Sequence, residues 1–229
     1  MTKLVVECCA NSIESSINGQ KGGSNRIELC RDLDVGGLTP SYNNILLAKS
    51  LIKIPIFVLI RPREGDFIYS NTEFKQIISD IKFCKKAGCD GVVIGALHKN
   101  GSINIERTQQ MRKAAKPMRV TFHRAFDKGN DLVKNLEDVI ACGCDTLLTS
   151  GQAKNVSLGF ENLKKLIRIS VGRINILAGS GVNHTNTEDL FKIGIRNFHL
   201  SGSEKNTDGI LETNSKNIQA ILEKLESIV

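Results

Sequence analysis

The sequence predicts a closed (β/α)8 barrel in a single domain spanning residues 1–229, and three observations carry that expectation. A glycine-led helix stop followed by a short apolar run recurs four times, at Gly22-Gly23, Gly88, Gly143 and Gly194. Each interval between these stops holds one further apolar run of strand length, flanked by segments with helical periodicity. The glycine-rich fingerprint that follows the first strand of an open, nucleotide-binding doubly wound sheet is missing. Strand and helix alternating through a chain of this length fit a closed parallel barrel.

In chain order the eight strands are expected at residues 4–9, 26–30, 55–61, 91–95, 118–123, 146–151, 173–178 and 198–202. Between them, Phe74, Ile77, Ile78, Ile81 and Cys84 repeat with the spacing of one helix face. Leu132, Val133, Leu136, Val139 and Ile140 do the same, and Ile218, Ile221, Leu222, Leu225 and Ile228 mark the last helix. Asn11 with Glu14, and Thr185 with Glu188, have the spacing of a capping box, which predicts helix starts there. No linker or low-complexity tract divides the chain, so one domain is expected.

Composition narrows the function classes. No run approaches the ~20 apolar residues of a membrane span. Met1-Thr2-Lys3 and Leu4-Val5-Val6, interrupted by Glu7, are too short for a secretory leader, so a cytoplasmic protein without membrane contact is expected. Seven cysteines scattered through the chain do not suggest a disulfide framework and are expected as thiols. A net charge of +7 favours anionic ligands, but the basic residues are dispersed over helix faces and aromatic residues are only 5%, with no Trp and two Tyr, so a stacking surface for bases is poorly supplied. No nucleic-acid partner is expected.

In a barrel of this kind the active site lies at the C-terminal ends of the strands. Those ends are polar here: Glu7 and Cys9, Glu28 and Cys30, Arg61 and Arg63, His123 and Arg124, Ser150, and His199 and Ser201. Side chains alternate along a strand, so Glu7 and Cys9 share a face, as do Glu28 and Cys30, and His199 and Ser201. If those faces are interior, two carboxylates, two imidazoles and an arginine converge at the mouth. A lone buried histidine or ion-paired glutamate would be ordinary structure, but several together point to a pocket for a small-molecule or metal-ion ligand.

Two chemistries remain open for that pocket. Glu7, Glu28 and His123 suit general acid and base steps, with Arg61 and Arg63 clamping an anion or stabilising developing charge. Gly179 and Gly181 after the seventh strand, and Ser201 and Gly202 after the eighth, sit where many barrels bind phosphate, although tight turns need glycine as well. Alternatively, Cys9 and Cys30 end neighbouring strands about 4.8 Å apart, close enough for their sulfurs to hold Cu(I), while packing alone would also bury them. Cys8 points away from Cys9, toward the helices. Cys89, Cys142 and Cys144 lie at helix-to-strand junctions and are expected to pack there.

Longer motifs also stand out. Ile60-Arg61-Pro62-Arg63-Glu64-Gly65-Asp66-Phe67-Ile68-Tyr69-Ser70 and Thr121-Phe122-His123-Arg124-Ala125-Phe126-Asp127 resemble signatures of the CutC family. Arg26-Ile27-Glu28-Leu29-Cys30, Gly36-Gly37-Leu38-Thr39-Pro40-Ser41 and Leu148-Thr149-Ser150-Gly151 are similar to further motifs of that family, in the same order, across nearly residues 1–205. The resemblance implies a cytosolic barrel, a homo-oligomer (dimer or tetramer), and a link to copper homeostasis. It implies Cys9 and Cys30 as Cu(I) ligands, and Glu7, Glu28, Arg61, His123 and Asp127 as a polar, catalytic-looking pocket; Arg124, Ser150 and His199, read from the polar strand ends, are expected with Arg63 to bind the anion. The chain departs from the family pattern at the doubled Cys8-Cys9, at Asn11 in place of a common Asp, and at Glu64 in place of a Gly.

Overall fold

Each βα unit opens on a run of four to six residues buried almost along its length, as a parallel strand covered on both faces requires. In the computed structural model, which describes residues 4–228, these runs are β1 (Val5–Ala10), β2 (Arg26–Leu29), β3 (Ile56–Leu59), β4 (Gly91–Ile94), β5 (Arg119–Phe122), β6 (Thr146–Thr149), β7 (Asn175–Gly179) and β8 (Asn197–Leu200). They pair in parallel in sequence order, and β8 closes on β1. All eight expected strands are therefore present, each within a few residues of its predicted position. Met1-Thr2-Lys3, part of the segment considered as a leader, lies outside the described residues.

Around the barrel run α1 (Ile13–Lys21), α2 (Tyr42–Leu51), α3 (Asn71–Lys86), α4 (Ile105–Ala115), α5 (Leu132–Ala141), α6 (Phe160–Ser170), α7 (Thr187–Lys192) and α8 (Ser215–Glu226). Among the described residues no helix is long and apolar enough to cross a membrane. Unforeseen by the strand count is a two-stranded antiparallel hairpin between β8 and α8, formed by β9 (Ser203–Lys205) and β10 (Leu211–Thr213).

The helix stops behave as expected: each of the four ends on a glycine at positive φ, the widest being Gly23 at +90° and Gly194 at +103°. The starts need correction. The chain enters α1 through Ser12, whose extended backbone lets its Oγ accept from Ser15 N at 2.9 Å, so the cap stands one residue beyond Asn11. Asn11 instead accepts the Ser15 hydroxyl and donates to the Leu211 carbonyl at the hairpin. At α7 the N-cap is Asn186 rather than Thr185, which turns back to Asn183. The complete capping box belongs to Ser70 and Glu73 at the start of α3.

Alternation divides the barrel into two apolar layers. Val6, Cys8 and Ala10 of β1 and Ile27 and Leu29 of β2 pack under the helices in the large outer core. Cys9, Cys30, Phe57, Leu59 and Val93 form a separate small cluster inside the barrel. The inward positions therefore include Glu7, Cys9, Arg26 and Glu28, in place of the branched apolar residues that usually fill such a barrel. All seven cysteines are free and buried, including Cys89, Cys142 and Cys144 at the junctions.

Candidate functional site

Strand register brings the inner polar residues to one level. Glu7 stands opposite Arg26 on one side and His199 on the other. Its buried carboxylate pairs with Arg26 Nε through one oxygen and lies 2.7 Å from His199 Nδ1 through the other. Burial works against this charge, yet the Arg26 guanidinium and then His199 hold the Glu7 carboxyl below the ordinary range. Arg26 in turn lies over the Phe57 ring, 4.2 Å from its centroid.

Glu28, also buried, is different. Its Oε2 has no hydrogen-bond partner in the protein and stands 3.6 Å from His199 Nδ1. Burial, reinforced by Glu7 and opposed by His199 and Arg26, pushes its pKa up to about 7. One of the two neighbouring carboxylates thus stays ionised while the other titrates near neutrality, a division of roles that suits proton transfer. Burial opposes the His199 imidazolium, but Glu28, Cys9 and Glu7 outweigh it and raise its pKa well above 6.5.

Beside this pair, Cys9 Sγ and Cys30 Sγ lie 3.8 Å apart, both buried. The contact with Cys30 and burial keep the Cys9 thiol well above its ordinary pKa. Cys9 Sγ, a Glu28 carboxylate oxygen and a His199 ring nitrogen lie within 4.8 Å of one another, a donor set able to hold a metal ion. Cys8 is directed the other way, 3.7 Å from Thr213 Oγ1, with its pKa pushed to about 12 by burial. Of the doubled cysteines, Cys9 is the one at the site.

Above this cluster opens a cavity of about 1080 Å³, lined by Cys9, Glu28, Arg61, His123, Arg124, Asp127, His199, Gly181, Ser201 and Gly202, among others. His123 accepts the Ala125 N–H at Nδ1, which leaves the proton of the neutral ring on Nε2. Burial, and then Arg61, lower its pKa to about 3, so it is a neutral donor at physiological pH.

Several expected roles change when contacts are followed. The Arg61 guanidinium donates to the carbonyls of Val35, Gly37 and Gly65, so most of its fork braces two loops and only Nε lacks a partner. Arg63 departs furthest from the anion clamp expected of it. Its guanidinium is taken up by Glu73, Asp66 and the Glu64 and Ile68 carbonyls, and it is not among the cavity residues.

Asp127 accepts from Arg124, Thr149 Oγ1 and the backbone N–H groups of Ser150 and Gln152, which makes it an anchor of the loop after β6 rather than a free catalytic acid. Ser150 is buried under that loop, 2.9 Å from Asp127 Oδ2. Gly179 does not line the cavity; a Cβ there would come within 2.5 Å of Leu148, so it serves close packing. Arg26, Lys128 and Lys154 escaped the sequence reading. Arg26 was legible as two positions before Glu28 on the same strand face, whereas Lys128 ends a short 3-10 helix (Arg124–Lys128) and Lys154 sits in an irregular loop, neither with a period to betray its direction.

Comparison with known proteins agrees with the motifs. The model of the CutC family matches residues 4–204. A family protein CutC from Bacteroides fragilis is 44% identical over 212 residues, covering 92% of this chain and 84% of its own. One from Vibrio vulnificus is 46% identical over 200 residues, covering 86% and 80% respectively. Among solved structures, a CutC from Streptococcus agalactiae, named for copper homeostasis, superposes with a TM-score of 0.81 at 29% identity, covering 86% of this chain and 98% of that one.

Proposed function

The chain belongs to the CutC family, and on that footing we propose that its barrel mouth binds Cu(I) through Cys9 and Cys30 in a role linked to copper homeostasis. One observation carries the reading: two buried thiols 3.8 Å apart beside the His199 imidazole and the unpartnered Glu28 oxygen. Soft sulfur donors suit Cu(I), and the nearby carboxylates favour a bound cation, so the residues present fit the ion. Bound there, Cu(I) would be sequestered from bulk water. Seven free cysteines support a reducing, cytoplasmic setting, and the exposed Leu46, Leu47 and Leu51 on α2 support a homo-oligomer.

The test is competition for Cu(I) between the reduced protein and a chromogenic chelator. Cys9→Ser and Cys30→Ser should each lower affinity at least about tenfold, ~1.4 kcal/mol, while Cys8→Ser leaves it unchanged. Equal affinities for wild type and the Cys9→Ser, Cys30→Ser double variant would remove the reading.

Glu28 favours a second reading, a barrel enzyme with acid and base chemistry on a small anionic substrate. A buried carboxyl with a pKa of about 7 and one free oxygen beside a cavity is suited to exchange a proton with a bound molecule. In that reading Glu28 is the base and His123, with its Nε2–H, the donor to developing negative charge. Turnover lost in Glu28→Gln, with Cu(I) affinity retained, is the result that would separate the two.

A further inference from the structure

The charges around the cavity do not match a site for a cation alone. Four fixed cations line it, Arg61, Arg124, Lys128 and Lys154, against two carboxylates, Glu28 and Asp127. Asp127 is already committed to Arg124 at 2.8 Å. Among the described residues, Arg61, Lys128 and Lys154 form no salt bridge, so three positive charges face the cavity without a carboxylate within pairing distance. Such a lining attracts an anion into the cavity.

The lysine-bearing loops are also braced. Asp127, one residue before Lys128, accepts the N–H groups of Ser150 and Gln152, and Gln152 Nε2 donates back to the carbonyls of Phe126 and Gly129. Ser180 Oγ donates to the carbonyl of Lys154 at 3.0 Å, and Val156 N donates to the Ser180 carbonyl. Gln152 at φ +56° and Ser180 at φ +77° hold left-handed conformations that non-glycine residues seldom adopt, and such strain collects where a site must keep its shape. Deeper in the cavity wall, the nine-tenths-buried Arg61 and His123 each keep a donor, Nε and Nε2, with no acceptor in the protein.

We propose that the cavity binds a small organic molecule carrying a phosphate or carboxylate group, with the oxyanion against Lys128 and Lys154 and the remainder extending inward to Arg61 and His123. This inference rests on the second reading above and deepens it by naming the ligand class and the lysines that hold it; it is independent of the Cu(I) reading, because neither Cys9 nor Cys30 takes part. The cavity volume, about 1080 Å³, is far more than an inorganic ion needs and matches the upper range for organic ligands.

Thermal shift and calorimetry on the whole chain test it, with inorganic phosphate, ribose 5-phosphate, ribose and citrate as probes. Ribose 5-phosphate or citrate should raise Tm in proportion to the logarithm of its concentration, ribose should not, and added salt should weaken the effect. Ribose 5-phosphate alone identifies the group as phosphate, and citrate alone as carboxylate. The Lys128→Gln, Lys154→Gln double variant should keep its unliganded Tm, since both lysines are exposed, and lose at least about tenfold in affinity. If that variant loses Tm, the single variants replace it, each expected to weaken binding.

Three results would overturn the inference: no oxyanion stabilising the wild type at about 10 mM, equal stabilisation of wild type and lysine variants, or inorganic phosphate binding as tightly as the organic probes. Anion binding that persists in the Cys9→Ser, Cys30→Ser variant supports it, and keeps its outcome separate from that of the Cu(I) titration.

Discussion

Replacing Glu28 by Gln removes a charge while nearly conserving shape, so it isolates what ionising a buried carboxyl costs the fold. The folded pKa of about 7 lies above the ordinary 4.5. A group raised in this way contributes stability in full below its unfolded pKa and loses that contribution as pH rises through the folded one. The interval from 4.5 to about 7, at ~1.4 kcal/mol per tenfold, makes the cost about 3 kcal/mol once Glu28 is fully ionised. At pH 8.5 the Glu28→Gln variant should therefore be more stable than wild type by about 3 kcal/mol, roughly 6–12 °C in Tm for a domain of this size. At pH 5 the gap should shrink to under about 1 kcal/mol, because both chains then hold an uncharged side chain there in the folded state. Urea unfolding at the two pH values measures both numbers. An equal gap at pH 5 and pH 8.5, or a variant less stable at high pH, would refute the placement of Glu28 as a buried carboxyl that titrates near neutrality.

Arg26→Ala should destabilise by about 3–5 kcal/mol, because it strands the fully buried Glu7, and the loss should show in urea midpoints at pH 7. Asp127→Asn removes the charge facing Arg124 and weakens the acceptors for Ser150 and Gln152; a cost of about 2–3 kcal/mol and faster proteolysis in the loop after β6 should follow. Gly95→Ala places a methyl group 2.5 Å from the His123 ring, so a loss of about 1–3 kcal/mol is expected, with a shifted His123 ring resonance in NMR. The same variant with unchanged Tm and resonance would show that the ring does not pack on Gly95.

Most of the barrel was legible along the chain because its causes are local. A glycine ending a helix, a short apolar run and a 3.6-residue period are each written in a few neighbouring residues, and eight repetitions leave few ways to close the sheet. Alternation likewise placed Glu7 with Cys9 and Glu28 with Cys30 on shared faces, and β1 and β2 keep those faces inward. Arg63, expected at the strand end as an anion clamp, lay beyond the reach of that rule. Arg61 and Arg63 would share a face if the strand continued, but β3 ends at Leu59 and the chain turns, sending Arg63 to Glu73 and Asp66.

What only the tertiary structure decided concerns meetings between residues far apart in sequence. His199 reaches Glu7 across 192 positions because β8 closes on β1, and that closure makes one carboxyl a stable anion and leaves Glu28 near neutrality. Lys128 and Lys154 line one cavity, and Asp127, beside Lys128, ties that segment to the loop after β6 through Ser150 and Gln152, a contact no periodicity announces. Residue type and spacing determine which groups a strand presents. Burial and the charges that barrel closure brings alongside determine their protonation, and so the ligand they can hold.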